Sequence, residues 1–163
     1  MKGKARIYIF SRPIRSGKTT ELLEWIRHER KVAGILMPDV NGSRKMAEIV
    51  SGDMYEFEVE SAGEGIISVG KYHFKEEIFM KGQEILLVKQ RIPVDWIVVD
   101  EVGKLELEGR GFEPAVSQLI KDVKEGSRKE KLLLVIRDSI LEAAVEQLHL
   151  DQAVIVNELK DLP

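Results

Sequence analysis

One short run of residues has the side-chain types and the setting needed to hold a phosphate ester. Ser16-Gly17-Lys18-Thr19-Thr20 follows an apolar, strand-like run and opens a helix-like segment. A helix N-terminus offers backbone N–H groups and a favourable dipole to an anion, and a glycine lets the backbone come close to it. At such a site Lys18 contacts the β and γ phosphates of a nucleoside triphosphate, and the Thr19 hydroxyl coordinates Mg²⁺. The predicted binding loop consists of Arg12, Pro13, Ile14, Arg15, Ser16, Gly17, Lys18, Thr19 and Thr20.

The beginning of this loop departs from the G-x-x-x-x-G-K-[ST] pattern of phosphate loops, because Arg12 stands where the first glycine is expected. Pro13 offers a physical reason. The residue before a proline is pushed toward extended backbone with negative φ, so the loop can begin without a glycine. The side chain of Arg12 then has two alternative roles: it adds positive charge near the γ-phosphate, or it faces solvent.

A second group, Asp100-Glu101, directly follows the apolar residues Ile97-Val98-Val99 of a predicted strand at 94–99. In open α/β sheets, ligands bind at the carboxyl ends of the strands. An aspartate at such a strand end holds Mg²⁺, usually through a water, and a neighbouring glutamate can orient and deprotonate an attacking water. We therefore predict that Asp100 and Thr19 hold the metal and that Glu101 is the catalytic base. The alternative is a strand that ends in ordinary solvated acids.

Arg137 is a third candidate, because it follows the apolar run at residues 132–136 and so also lies at the carboxyl end of a predicted strand. An arginine there can stabilise the charge of a phosphoryl-transfer transition state. We predict that the catalytic residues are Lys18, Glu101 and Arg137. The alternative for Arg137 is a surface residue paired with Asp138.

These residues must be positioned by strands that alternate with helices. Continuous apolar runs predict buried strands at 6–10, 32–37, 94–99, 132–136 and 153–156. Helical spacing predicts helices at about 18–30, 75–90, 112–123 and 139–149, the last with a capping box formed by Ser139 and Glu142. Because the strands are continuously apolar, we expect an α/β fold whose mainly parallel sheet is covered on both faces.

One part of the chain breaks this alternation. Short strands are predicted at 46–50 and 54–59, around a turn at residues 51–53, and a brief strand at 72–74. The glycine- and serine-rich stretch at 61–70 and the glycine-rich stretch at 102–111 are predicted to be loops. We therefore expect a small antiparallel β insert at about 44–74 within a single domain at 1–163.

Composition narrows the class of protein further. The chain of 163 residues has a formal net charge of −3 and no cysteine, which excludes disulfides and thiolate ligands. Nucleic acid is not an expected partner, because backbone binding needs clustered lysine and arginine. No apolar run approaches the roughly 20 residues of a membrane span, and the N-terminus does not resemble a secretory signal. The expected location is the cytoplasm.

Arg12 through Thr20, followed by Asp100-Glu101-Val102-Gly103-Lys104-Leu105-Glu106-Leu107, resemble the small P-loop nucleoside-triphosphatase family that includes the cancer-related nucleoside-triphosphatase. The resemblance implies a three-layer α/β/α, RecA-like fold and slow Mg²⁺-dependent hydrolysis of several nucleoside triphosphates. Weaker similarity lies in segments between and after these motifs, at 34–38, 44–52, 69–72 and 111–113. By motif position, the resemblance implies that Lys18 is the phosphate lysine, that Thr19 and Asp100 hold the metal, and that Glu101 is the catalytic acidic residue.

The chain departs from the family pattern at three places. Arg12 replaces a glycine, and Met46-Ala47 replaces a Gly-Phe pair. The C-terminal Asn-Arg motif of the family is not visible, and Asn157-Glu158 lies nearby instead. The predicted reaction is hydrolysis of the γ-phosphate of ATP, GTP or another nucleoside triphosphate to the diphosphate and phosphate. Two alternatives are a kinase for a nucleotide or small molecule, and a nucleotide-binding switch without catalysis.

Overall fold

The computed structural model describes residues 5–13, 16–29 and 31–163 of the chain. The strands are β1 Ile7–Phe10, β2 Val32–Leu36, β3 Asp39–Val40, β4 Ser43–Glu48, β5 Met54–Glu56, β6 Glu58–Val59, β7 Ile66–Val69, β8 Tyr72–Lys75, β9 Trp96–Asp100, β10 Lys131–Val135 and β11 Val154–Val156. The helices are α1 Lys18–Glu29, α2 Glu76–Leu87, α3 Lys104–Leu107, α4 Ala115–Glu125 and α5 Leu141–Gln147, with 3₁₀ turns at Asp138–Ile140 and Leu159–Asp161. Within the described ranges, no helix combines the length and the apolar character that crossing a bilayer requires.

The main sheet has the strand order β11-β1-β10-β9-β2-β4-β3, with β5 beside β4. The pairs β11–β1, β1–β10, β10–β9 and β9–β2 are all parallel. Beyond β2 the pairing becomes antiparallel, through β4 with its neighbours β3 and β5. The carboxyl ends of β1, β10, β9 and β2 therefore lie along one edge, which is the edge that carries the predicted site.

Side chains of each parallel strand enter two separate hydrophobic cores because successive residues of a strand point to opposite faces. In β1, Ile7 and Ile9 face the core shared with α2, α4 and α5. Tyr8 and Phe10 face the core shared with α1, through Leu22, and with the C-terminal 3₁₀ turn. The result is a layer of helices on each face of the sheet. The predicted α/β fold with a mainly parallel sheet and a small antiparallel part is confirmed.

The antiparallel insert is more divided than the sequence predicts. The predicted strand at 54–59 is interrupted at Phe57, so that β5 pairs with β4 of the main sheet and β6 pairs with β8 of a second sheet, ordered β6-β8-β7. Phe57 is buried against the rings of Phe74 and Phe79, with centroids 4.8 Å away in each case. The gain from burying this aromatic ring outweighs the lost continuity of the strand.

Three local predictions were wrong. The stretch at 61–70 contains β7, whose partner β8 follows a tight turn, so glycines flank a strand there instead of filling a loop. The stretch at 102–111 contains the short helix α3. The predicted capping box is absent, since α5 begins at Leu141 after a 3₁₀ turn and its first cap makes no side-chain hydrogen bond.

The helix α2 contains a glycine, Gly82, at the position where the ring of Phe112 packs against it. A Cβ atom at this position would lie 2.4 Å from Cε1 of Phe112, so any larger residue would force α2 and the Phe112 ring apart. An interior glycine costs about 1 kcal/mol of helix stability relative to alanine. Close packing of Phe112, which directly precedes the residues leading into α4, compensates for that cost.

Candidate active site

The phosphate loop leaves β1 and enters α1 within a few residues. Gly17 has a φ of 82°, a left-handed conformation that residues with a Cβ rarely adopt, and its carbonyl accepts the first α1 hydrogen bond, from the Glu21 N–H at 3.1 Å. The N–H groups of the first helical turn have no partner inside the helix. Ser16, Gly17 and Thr20 are exposed along the wall of a cleft. Ile14 and Arg15 lie outside the described residues.

Lys18 is held over this loop by backbone carbonyls. Its Nζ donates to the carbonyl oxygen of Pro13 at 3.0 Å and to that of Arg12 at 3.4 Å, and the residue is only 7% exposed. Pro13 and Arg12 thus contribute backbone oxygens that fix the direction of the lysine. An anion bound at the N-terminus of α1 would gain from both this ammonium and the N–H groups of the first turn.

The side chain of Arg12 takes neither of the two directions considered from the sequence. Its Nη1 donates to Oε1 of Glu21 at 3.1 Å, and its guanidinium lies 4.9 Å from the centre of the Phe10 ring. The arginine at the unusual first position of the loop therefore ties the loop to α1, while its carbonyl supports Lys18. Its side chain is not part of the cleft wall that the structure describes.

Asp100 meets Thr19 although 81 positions separate them in the chain. Oδ2 of Asp100 accepts hydrogen bonds from Oγ1 of Thr19 at 3.3 Å and from the backbone N–H of Met37 at 3.2 Å. Burial, together with the nearby Glu101 carboxylate, raises the pKa of Asp100 to about 6, against the opposing effects of the Met37 N–H, the Arg44 charge and the Thr19 hydroxyl. The two predicted metal ligands are thus in contact at the edge of the sheet.

Glu101 and Arg137 line the same cleft, whose volume is about 730 Å³ and which also includes Lys18, Thr19 and Asp100. Arg137 follows β10, between β1 and β9 in the sheet, and the next residue, Asp138, donates its N–H to the Arg12 carbonyl at 3.2 Å. In the described part of the chain, the buried Nε of Arg137 has no hydrogen-bond partner and no ion pair joins this arginine to Asp138. The structure thus brings all the described candidate residues except Arg12 and Pro13 to one cleft, and these two residues contribute backbone carbonyls that hold Lys18.

Glu106 was not assigned a role from the sequence, although it lies in the run from Asp100 to Leu107 that resembles the family motif. It is 5% exposed, and its two carboxylate oxygens accept the N–H groups of Gly103 at 2.7 Å and Phe112 at 2.9 Å. These bonds hold the segment that follows Glu101. Burial raises the pKa of Glu106 to about 7, against the opposing effect of the two N–H groups.

This raised pKa predicts a pH dependence of stability. Between the unfolded pKa of 4.5 and the folded pKa of about 7, the native state binds more protons through Glu106 than the unfolded state does. The contribution of Glu106 to the free energy of unfolding should therefore fall as the pH rises through this window, by up to ~1.4 kcal/mol per pH unit. Urea unfolding of the wild type and of Glu106→Gln at several pH values measures it. A constant difference between the two proteins across the window would contradict the prediction.

Other residues of the cleft were not among the predicted site residues. Arg44 on β4 and Glu58 on β6 bring charges from the antiparallel insert, and Val69, Tyr72 and Phe74 add an apolar wall from β7 and β8. Periodicity could not find them, because it does not tell which side of the main sheet the insert covers. The one available signal for Arg44 was its place at the start of the insert segment that resembles a known family.

The chain is similar in sequence and in fold to known nucleoside-triphosphatases. The family model NTPase_1, described as NTPase, matches residues 6–160. The nucleoside-triphosphatase THEP1 of Archaeoglobus fulgidus is 33% identical over an alignment of 112 residues. The match covers 64% of this chain and 64% of that protein, which is less than two thirds of that relative. The crystal structure of THEP1 from the hyperthermophile Aquifex aeolicus is similar with a TM-score of 0.69 at 18% identity, covering 96% of this chain and 92% of that one, which shows a shared fold.

Proposed function

This chain belongs to the NTPase_1 family, and from that premise we propose that it hydrolyses nucleoside triphosphates in the cleft described above. The substrate is ATP, GTP or another nucleoside triphosphate, and the products are the diphosphate and free phosphate. The observation that carries the proposal is the contact between Thr19 and Asp100 at the N-terminus of α1, in the same cleft as Lys18 and Glu101. A triphosphate bound to the N-terminus of α1 would have its terminal phosphate near the carboxylates of Asp100 and Glu101.

The donor set at this contact fits Mg²⁺. The Thr19 hydroxyl and the Asp100 carboxylate are hard oxygen ligands, and Asp100 is a buried acid beside a second carboxylate, so a divalent cation would offset charge that is costly to bury. No cluster of three or more His, Asp or Glu side chains that could hold a metal occurs in the described residues. The remaining ligands are then phosphate oxygens and water, as is usual for Mg²⁺. When bound, Mg²⁺ supplies positive charge that offsets the charge on the phosphates.

The residues of the chain then have distinct tasks. The N–H groups of α1 and the Lys18 ammonium bind the β and γ phosphates. Glu101 accepts a proton from a water whose oxygen attacks the γ phosphorus, and the bond between that phosphorus and the β–γ bridging oxygen breaks. Arg137, whose Nε lies buried without a partner in the described residues, stabilises the charge that develops during transfer. Catalysis of this kind is mainly positioning and electrostatic stabilisation.

The direct test is release of free phosphate from ATP, GTP, CTP and UTP with Mg²⁺, and again after chelation with EDTA. Hydrolysis of at least one triphosphate that depends on Mg²⁺ is the expected result. No phosphate release from any of them would overturn the proposal.

Transfer to a small-molecule acceptor is a second candidate, favoured by the apolar wall of Val69, Tyr72 and Phe74 in the same cleft. Polyphosphate gains little from such a wall, whereas an organic acceptor or the nucleobase of the triphosphate can pack on it. Hydrolysis alone predicts that phosphate released equals triphosphate consumed. A deficit of free phosphate when candidate acceptors are added would indicate transfer.

Replacing Asp100 with asparagine should weaken Mg²⁺ binding, and so raise the Mg²⁺ concentration that hydrolysis requires, without removing the fold. Asn keeps the size and one oxygen, but it loses the charge, and loss of a carboxylate near a metal typically costs about 10–100-fold in metal affinity or activity. The measurement is the Mg²⁺ concentration at half-maximal hydrolysis. Asp95→Asn, an exposed residue just before β9, is the matched control. An unchanged Mg²⁺ requirement in Asp100→Asn would show that Asp100 does not hold the metal.

A further inference from the structure

Arg44 brings a positive charge from the antiparallel insert to the metal corner of the cleft. It lies on β4, which pairs with β2, and its Nη1 donates to the carbonyl oxygen of Met37 at 3.4 Å. The N–H of the same Met37 donates to Oδ2 of Asp100 at 3.2 Å. The guanidinium and the Asp100 carboxylate therefore meet on one residue of the chain, and Asp100 in turn contacts Thr19.

Among the described residues, no carboxylate forms an ion pair with Arg44. The residue is half-buried, and in the described part of the chain its guanidinium forms no ion pair and makes only the long bond to Met37. Its backbone N–H donates to Oε1 of Glu58 at 3.2 Å, which fixes β4 against β6. A half-buried guanidinium with free N–H donors beside a cleft is suited to an anion, because its planar fork matches phosphate oxygens.

The next residue on the same strand shows the contrast. Lys45 forms a salt bridge with Glu56 of β5 and does not line the cleft. Adjacent residues of a strand point to opposite faces, so one cation is paired on the far side while Arg44 faces the cleft. In the order of strands, Arg44 lies beyond β2 on one side of β9, and Arg137 follows β10 on the other side. The two arginines thus come from opposite sides of β9 and line the same cleft as Asp100.

We propose that Arg44 donates hydrogen bonds to the terminal phosphate of the bound nucleoside triphosphate, and that the insert thereby lets the site distinguish a triphosphate from a diphosphate. This inference rests on the proposed function. A diphosphate occupies the helix N-terminus and Lys18 but does not extend to the corner formed by Asp100 and Arg44. The interaction is made with the group that is transferred, so it contributes to turnover as well as to binding.

The test compares Arg44→Ala, Arg44→Lys and the control Lys45→Ala with the wild type. Affinities are measured with Mg²⁺ for a non-hydrolysable β,γ-imido triphosphate and for the diphosphate, and kcat is measured for hydrolysis. In Arg44→Ala we expect triphosphate-analogue affinity to fall at least about tenfold and kcat about 100-fold, with diphosphate affinity changed less than about twofold. Arg44→Lys should recover part of the affinity but little of kcat, because an ammonium lacks the planar fork. Lys45→Ala should behave as the wild type.

Equal losses of triphosphate and diphosphate affinity in Arg44→Ala would overturn the inference, since they would indicate a structural role. An unchanged ratio of the two affinities in both Arg44 variants, in a protein whose wild type hydrolyses triphosphates and whose Lys18→Ala variant does not, would refute Arg44 alone. A wild type that neither binds nor hydrolyses triphosphates would refute both proposals. If Arg44→Ala fails to fold, the ratio in Arg44→Lys decides.

Discussion

Lys18→Ala should lose detectable triphosphate binding and hydrolysis, with a fall in turnover of at least roughly 1000-fold. The reason lies in the position of the ammonium, which is buried at the first residue of α1 and held by the carbonyl oxygens of Pro13 and Arg12. An ammonium fixed in a low-dielectric cleft stabilises phosphate charge without reorganising during the reaction. Alanine is a good helix former, so α1 itself should persist.

Isothermal titration with a non-hydrolysable triphosphate and a phosphate-release assay measure the two effects of Lys18→Ala. Arg27→Ala is the matched control, because it removes one positive charge from the exposed last turn of the same helix. The control should bind and hydrolyse as the wild type does. Unchanged hydrolysis in Lys18→Ala would refute the role of the lysine and, with it, the location of the phosphate site.

Glu101→Gln should keep triphosphate affinity and lose most turnover. Glutamine preserves the shape and can still bond a water through its oxygen, but it cannot accept the proton that the attacking water must release. Positioned general bases contribute about 10²–10⁴-fold to rate, so we expect kcat to fall within that range. Asp100 and Thr19 keep their contact, so the metal requirement should change little.

Single-turnover hydrolysis and titration of the triphosphate analogue separate the chemical step from binding in Glu101→Gln. Glu108→Gln serves as the control, because Glu108 is exposed, follows α3 and does not line the cleft. If Glu101→Gln hydrolyses at the original rate, another group accepts the proton. If it loses binding together with turnover, Glu101 has a structural or metal-binding role.

The pairing of these two variants distinguishes binding from chemistry in the cleft. Lys18→Ala removes contacts made to the phosphates before and during the reaction, whereas Glu101→Gln removes a group needed in the transition state. The Arg44 variants lie between these extremes, because they should lower both the affinity for the terminal phosphate and the rate. The variants of Lys18, Arg44 and Glu101 should therefore show three different combinations of changes in triphosphate affinity and turnover.

The sequence alone determined those features of the protein that depend on residues adjacent in the chain. The run from Ser16 to Thr20 after an apolar strand specifies a helix N-terminus with a lysine and a hydroxyl at its start, whatever lies elsewhere in the chain. Continuous apolar runs specify buried strands, and Asp100-Glu101 at the end of one of them specifies acids at the edge of a sheet. These signals are carried by neighbouring residues, so the α/β class and the two halves of the site could be predicted.

Only the tertiary structure decided which distant residues meet. The contact between Thr19 and Asp100 depends on the order of strands, and the position of Arg44 depends on the face that β4 presents after the sheet becomes antiparallel. The burial of Glu106 and the direction of the Arg12 side chain likewise depend on packing with other parts of the chain. Strand register and side-chain burial arise from contacts between residues far apart in sequence, and local propensity contains no information about them. For this reason the candidate residues, and the expectation that Thr19 and Asp100 share one metal, could be stated in advance, but the part of the cleft that the antiparallel insert forms could not.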